Sequence, residues 1–463
     1  MDKFTSSLLH STLKPIFHTH GNIALIIAYS GGVDSQVLLH SLVQLKQQKL
    51  IKNDITVCHV NHGLSDNAKA WETFAIQVCA KYNVKLIVKS VNIKNQAQQS
   101  LEALARDARY NALKSLSDKP SIILTGHHSD DQSETFLLAL KRGAGLKGLS
   151  AMSAQSELGQ HLLVRPLLNV SRQQIENYAK KNKLSWVEDE SNTDTKFDRN
   201  FIRQEIMPLL RARWSSINNT INRSAEHCLA GQELLDELAA QDLTICKASE
   251  NSLHIQPLQA LSSARFNNLI RYFMAQHPNY DCLMPSTEQI AQVREQMQAA
   301  SDKTPEIKVG EHFFRRFKEA LHLTPSFNDV STWKADIPLL ANITERKLYK
   351  LTLPDNLSPL VFSLTGEGSS KSEEGFLPNI LLPNPEQKVS ICFSHNNPKC
   401  QPHFRQHSRN VKKVLQELAI APWQRKRIAF LYYDDQLVAA LGHFVCKPFI
   451  ANNAQLSINI RQN

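Results

Sequence analysis

The sequence predicts an α/β protein with a parallel-sheet N-terminal domain, a helical middle domain and a small α+β C-terminal domain. Three observations carry this. Over roughly the first 140 residues, short apolar runs alternate with segments of helical spacing, the pattern of βαβ units around a parallel sheet. Beyond residue 171 the strand signal fades and long helical patterns take over. From about residue 325 short β-like pieces return. The chain has 463 residues, enough for two to four domains at roughly 100–200 residues each. We place the domains at 1–215, 216–325 and 335–463.

The elements follow in order. Residues 22–29 are a continuous apolar run ending in a turn signal, hence a buried strand. Residues 37–50 have apolar positions at helical spacing. Strands follow at 54–60, 84–88 and 121–125, separated by helices at 67–82 and 100–116, and a helix at 130–140 closes the series. Further helices are expected at 171–182, 200–211, 225–243, 260–275 and 286–299. The last region should hold strands at 347–353, 360–364, 389–393, 428–433 and 437–445, with a helix at 410–418. Residues 366–375, GEGSSKSEEG, read as a surface loop.

Composition narrows the class. Hydrophobic residues make up 42% and charged residues 21%, which excludes a disordered chain. The longest aliphatic run, residues 23–28, falls far short of the roughly 20 residues a membrane helix needs. The first 20 residues lack an apolar core with a small-residue cleavage site, so no secretory signal is expected. None of the eight cysteines forms a CxxC pair. They read as reduced thiols of a cytoplasmic protein, and CxxC-based zinc and iron–sulfur sites are excluded. The net charge is +10, of which about +8 falls in residues 1–230. Residues 399–427 hold eight basic side chains against one acid, Glu417, a footprint that suits a polyanion or a plain solvated face.

Ligands of parallel sheets bind at the carboxyl ends of the strands, and the polar motifs lie there. After the first strand comes SGGVDS: Ser30, Gly31, Gly32, Val33, Asp34 and Ser35. Two glycines allow close backbone approach, two hydroxyls donate, and a helix N-terminus adds unpaired N–H groups. This is an anion cradle or, on composition alone, a glycine turn with an N-cap. It is not a Walker A loop, because that spacing and its lysine are absent. HVNHGL, with His59 and His62, follows the second strand. LEALARDARY carries Arg106, Arg109 and Tyr110. TGHHSDDQSET follows the fourth strand and brings His127, His128, Asp130, Asp131 and Glu134. Asp131 and Glu134 stand three apart on a helix and share a face; they suit a bound cation or are acids complementing a helix N-terminus.

The ordered series resembles the PP-loop ATP pyrophosphatases (adenine nucleotide alpha hydrolase-like fold), and within them the tRNA(Ile)-lysidine synthetases. SGGVDS, the motifs above, RPLL from Arg165, WVEDESNTDTKFDRNFIR from Trp186, VKKVLQELAIAPWQRK and LVAALGHFV carry the resemblance. It implies ATP bound by Ser30, Gly31, Gly32, Val33, Asp34, Ser35 and His62. It implies catalytic roles for Asp34, Asp130, Asp131 and Arg109, and Mg²⁺ as cofactor with Asp130 as candidate ligand. A lysine pocket at Asp131 and Glu134 follows as well, as do tRNA contacts from Arg199, Arg203, Lys412, Lys413, Arg425 and Lys426. The partners are then a tRNA(Ile) with a CAU anticodon and L-lysine, and a homodimer is left open. The implied reaction activates C2 of the wobble cytidine by adenylating its O2, then replaces AMP by lysine, which changes codon and aminoacylation specificity from Met to Ile. The chain departs from the family in reading QHSRN where a Gly-rich, Arg-containing stretch is expected. Another PP-loop enzyme, or a non-catalytic RNA-binding protein on the same fold, are the competing readings. The missing Cys pair argues against a thiolase, the absent glutaminase motif against an amidotransferase, and the intact SGGVDS against a non-catalytic protein.

Overall fold

The computed structural model describes residues 6–61, 63, 65, 67–92, 101–277, 284–297, 306–338, 348–365, 377–451 and 457–462. His62 and the loop at 366–375 lie outside them. The chain forms two compact units, Met1–Leu238 and Ala239–Asn463.

In the first unit the order is α1 (Ser6–His20), β1 (Leu25–Ala28), α2 (Val33–Gln47), β2 (Ile55–Asn61), α3 (Ala68–Tyr82), β3 (Lys85–Ser90), α4 (Leu101–Lys114), β4 (Ile122–Thr125), α5 (Ser129–Lys141) and α6 (Leu146–Leu149). There follow β5 (Gln155–Leu158), β6 (His161–Val164), α7 (Arg172–Lys181), α8 (Asp198–Phe201), a π-helical turn at Ile202–Ile206, α9 (Met207–Arg213) and α10 (Ile217–Cys246), whose last turns belong to the second unit. The strand order is β3-β2-β1-β4-β6-β5. β3, β2, β1, β4 and β6 run parallel, while β5 pairs antiparallel with β6. β1, and β4 up to its closing Thr125, are apolar because both faces of a parallel sheet are covered. Ile27 and Leu124 pack with Leu38, Leu42 and Tyr178 on one face; Ile26 and Ile123 pack with Leu113 on the other. The chain leaves β1 toward β2 on one side and returns at β4 on the other. This reversal opens a crevice at the carboxyl ends of β1 and β4.

In the second unit the helices Ile255–Ala260, Ser263–Ala275 and Thr287–Gln296 lie with a five-stranded antiparallel sheet spanning residues 247–325. Leu253, Phe266, Ile270, Phe314 and Leu321 form their shared core. Further along, two antiparallel sheets of five and four strands bury Phe362, Ile391, Leu431, Val438 and Ile458 between them. The helix Val411–Glu417 packs Val414 and Leu415 on Phe430 and Phe444.

The expected helices of the middle region are present, and the sheet beside them is an addition. Its main hairpin pairs His312–Phe317 with Ala320–Pro325 across a two-residue Lys318-Glu319 turn. Lys318 adopts φ +53° there. Hairpin turns are usually signalled by Asn-Gly or Asp-Gly, and this one carries no such signal. The strand Ser457–Gln462 also went unread, although it sits between Leu360–Thr365 and Ile380–Leu381.

Candidate active site

SGGVDS crosses from β1 into α2. Gly31 takes φ +87°, and a Cβ there would lie 2.7 Å from Val187 Cγ2, so only glycine fits without displacement. The Val187 N–H donates to the Gly31 carbonyl at 3.0 Å, which lays the 186–189 segment over the loop. Gly126, just past β4, approaches as closely: its Cβ would meet the Asp34 carbonyl carbon at 3.0 Å. The Ser35 hydroxyl donates to the Gly32 carbonyl at 2.9 Å and stands 3.3 Å from the Ser30 hydroxyl. Val33, Asp34 and Ser35 form the first turn of α2 and line the crevice, and the N–H groups of a helix's first turn have no partner within the helix.

The crevice is a cavity of about 730 Å³, within the usual range for a small-molecule site. It gathers SGGVDS, His59, Arg106, Arg109, His127, His128, Asp130, Asp131, Glu134, Trp186, Arg199, Arg203 and Arg211. These come from the ends of β1, β2 and β4, from the starts of α2 and α5, from α4, and from the 186–211 segment.

Asp131 and Glu134 do share one face of α5, and they meet two guanidiniums there. Arg199 Nε donates to Glu134 Oε2 at 2.9 Å and its Nη2 to Asp131 Oδ1 at 3.0 Å. Arg203 donates to Glu134 Oε1 at 2.7 Å, to Glu134 Oε2 at 2.8 Å and to Asp131 Oδ1 at 3.0 Å. The arginines stand four apart along the 198–206 segment and so match the carboxylates three apart on α5. Glu134 is 1% exposed, and its oxygens are taken up by these bonds. The pair expected to hold a lysine ammonium therefore holds Arg199 and Arg203 here, and those two, expected on tRNA, face inward. Burial works against ionisation of Asp131, but His128, Arg199, His127 and the His128 backbone N–H together hold its pKa down at about 2.

Asp130, also on the cavity wall, is engaged by a different set of donors. Oδ1 accepts from Asn218 at 3.0 Å and from Arg211, and Oδ2 accepts from the Arg172 backbone N–H at 2.9 Å and from Ser129 at 3.3 Å. Four donors fill its four acceptor positions. As placed, Asp130 does not fit a Mg²⁺ ligand; it ties α5 to α7 and α10. Among the described residues no group of three His, Cys, Asp or Glu side chains has the arrangement of a metal site.

His59 turns Nδ1 toward the Tyr29 carbonyl at 3.1 Å, and desolvation lowers its pKa. His127 stands 2.8 Å from the Thr125 hydroxyl, and desolvation pulls it down to about 3, so it is a neutral ring at pH 7. His128 lies 3.6 Å from Asp34 and 3.4 Å from Asp131. Arg109 is open to the cavity lumen, and the protein around it draws its pKa downward by desolvation. Arg106 leans on the Tyr110 ring at 5.6 Å. Arg172 escaped the sequence reading. Its Nη1 donates to both Asp34 oxygens, at 3.0 and 2.8 Å, and its Nε to Glu176 at 2.8 Å. One signal was available: an arginine opening a helix opposes the macrodipole and calls for acidic partners.

The basic stretch at 399–427 divides. Arg405 and Arg409 both pair with Glu417, and Arg427 pairs with Asp355. Arg425 Nε donates to the Ile420 carbonyl at 2.7 Å. Trp423 packs on His322 and beside Arg315, at 5.4 and 5.7 Å. Lys399, Lys412, Lys413 and Lys426 are exposed. The seven described cysteines carry no disulfide, and among the described residues no helix is long and apolar enough to cross a membrane.

A PP-loop domain model matches residues 5–210, a TilS substrate binding domain model 253–322, and a TilS substrate C-terminal domain model 389–461. A tRNA(Ile)-lysidine synthase from Serratia proteamaculans is 43% identical over 426 residues, 91% of this chain and 91% of its own. The chain belongs to the tRNA(Ile)-lysidine synthase family. That family consists of ligases, and its PP-loop domain binds ATP. Family members so named from Edwardsiella ictaluri and Coxiella burnetii are 40% and 36% identical over 92% and 97% of this chain. They cover 92% and 95% of their own lengths. Among solved structures, the U34-tRNA thiolase NcsA from Methanococcus maripaludis is similar over 48% of this chain and 79% of its own, at 18% identity and a TM-score of 0.41.

Proposed function

We propose that the protein ligates L-lysine to C2 of the wobble cytidine of a CAU-anticodon tRNA(Ile) in the cytoplasm, at the expense of ATP. The observation that carries this reading is one cavity in which an anion cradle, SGGVDS, faces a buried pair of acids, Asp131 and Glu134. The relatives' shared name supports the choice of tRNA.

The reaction runs in two steps. The cytidine O2 attacks the α-phosphorus of ATP, the bond to the β-phosphate oxygen breaks, and pyrophosphate leaves. The ε-amine of lysine, having lost a proton, then attacks C2; the C2–O bond breaks and AMP leaves. The Ser30–Ser35 loop holds the phosphates, with the unpaired N–H groups of α2 directed at them. Arg109 offers positive charge to the adenylate from α4. Asp131 and Glu134 receive the lysine ammonium, which requires Arg199 or Arg203 to swing aside. The incoming cation then takes the place of a guanidinium that holds both carboxylates in its absence. Mg²⁺ would arrive on the ATP phosphates, where it neutralises charge, and Asp130 orients its neighbours. Lys412, Lys413 and Lys426 hold tRNA phosphates without reading sequence, while Arg425 is held back by the Ile420 carbonyl.

The test is incubation with ATP, labelled lysine and an unmodified CAU-anticodon tRNA transcript. Label should enter the tRNA, with AMP and pyrophosphate released. AMP release that needs neither lysine nor tRNA would overturn the assignment.

A further inference from the structure

We infer that Arg172 is the cation that receives the leaving pyrophosphate. This rests on the ATP-dependent reading above. Asp34 sits in the first turn of α2, inside the loop assigned to the phosphates. A carboxylate there repels a polyphosphate unless a cation stands between them. Arg172 occupies that place: its Nη1 lies 3.0 and 2.8 Å from the Asp34 oxygens, and it lines the cavity. The guanidinium is anchored from behind, since Nε is bound to Glu176 at 2.8 Å and its own backbone N–H to Asp130 at 2.9 Å. The other arginines differ. Arg199, Arg203 and Arg211 are bound to buried carboxylates of α5, and Arg106 and Arg109 belong to α4. Among these arginines Arg172 is the one that pairs with an acid of the loop, and that acid is a quarter exposed. An incoming pyrophosphate oxygen can share the guanidinium with Asp34, so the charge needed when pyrophosphate departs is already in position.

The experiment measures binding of inorganic pyrophosphate and of AMP by titration calorimetry, with and without Mg²⁺, for the parent, R172K and R172A. Loss of one charge-assisted contact should weaken pyrophosphate binding by about 10- to 100-fold in R172A. R172K should lose less, and AMP affinity should stay within about threefold. Methylguanidinium added at millimolar concentration should restore pyrophosphate binding to R172A. Unchanged pyrophosphate affinity in R172A overturns the inference. So does a parallel fall for pyrophosphate and AMP that methylguanidinium does not repair, because Arg172 then only props up the loop. A parent protein that binds neither probe sinks the ATP reading itself.

Discussion

Replacing Glu134 by Gln probes the centre of the cavity. The carboxylate is 1% exposed and accepts three hydrogen bonds from Arg199 and Arg203. The amide keeps one oxygen and turns an NH₂ toward a guanidinium. Removing one partner of a buried ion pair costs about 3–5 kcal/mol. Here the arginine side chains are 22% and 37% exposed, so water recovers part of that, and about 2–4 kcal/mol is expected. In a unit of this size each kcal/mol lowers the melting temperature by about 2–4 °C, for a total of roughly 5–15 °C. Calorimetry of the full chain measures it, on the transition that added ATP moves upward. Glu134→Asp keeps the charge and should lose less. In steady-state assays, Glu134→Gln should raise the KM for lysine about tenfold or more, the worth of one charge-assisted contact, and leave the KM for ATP within about threefold. An unchanged melting temperature together with an unchanged lysine KM would refute both the ion-pair reading and the lysine pocket.

Other outcomes follow from the same geometry. Asp34→Ala or Ser35→Ala should abolish AMP formation with tRNA binding nearly intact, measured by AMP release and filter binding; normal turnover would contradict the loop assignment. Gly31→Ala forces a side chain onto Val187 at a positive φ and should cost about 1–3 kcal/mol, visible as a lowered melting temperature and a raised KM for ATP. Because the folded pKa of Asp131 lies below its ordinary 3.8, at about 2, its contribution to stability is complete above about pH 4 and lost as pH falls toward 2. Asp131→Asn should flatten the stability–pH curve in that window. Replacing Lys412, Lys413 and Lys426 should weaken tRNA binding and reduce its log–log salt slope by up to about 0.9 per lost phosphate contact. Adding Arg425→Ala should change little more, since its Nε is already bound to Ile420.

Much of this site was legible because its motifs are local. SGGVDS and GHHSDD are short strings at strand ends, and a parallel sheet brings strand ends together whatever the rest of the chain does. The pairing of Arg199 and Arg203 with Asp131 and Glu134 lay in plain sight as an i,i+4 set facing an i,i+3 set, but nothing local says that the two helical segments meet. Arg427 illustrates the harder case. It reads as one more base in a basic run, and its partner Asp355 is 72 residues away. The Lys318-Glu319 hairpin was missed for a different reason, since Phe and Leu around it suit a helix or a strand and the turn residues do not arbitrate.

The distances along the chain between the cavity's charged partners have a consequence for how the active state is reached. Asp34 meets Arg172 across 138 positions, Asp130 meets Arg211 across 81, and Asp131 meets Arg203 across 72. The strand pairs β1–β2, β2–β3, β4–β6 and β5–β6, with their helices, can associate earlier through shorter loops, whereas the central β1–β4 pairing, Leu25 on Ile122, closes a long loop as the ion pairs do, and contacts that close long loops form late. A refolding chain should thus pass through a species with its helices and local strand pairs in place and its arginines and carboxylates still hydrated. Far-UV circular dichroism should recover before ATP binding does. The gap between the two signals measures how long the molecule has its shape without its chemistry.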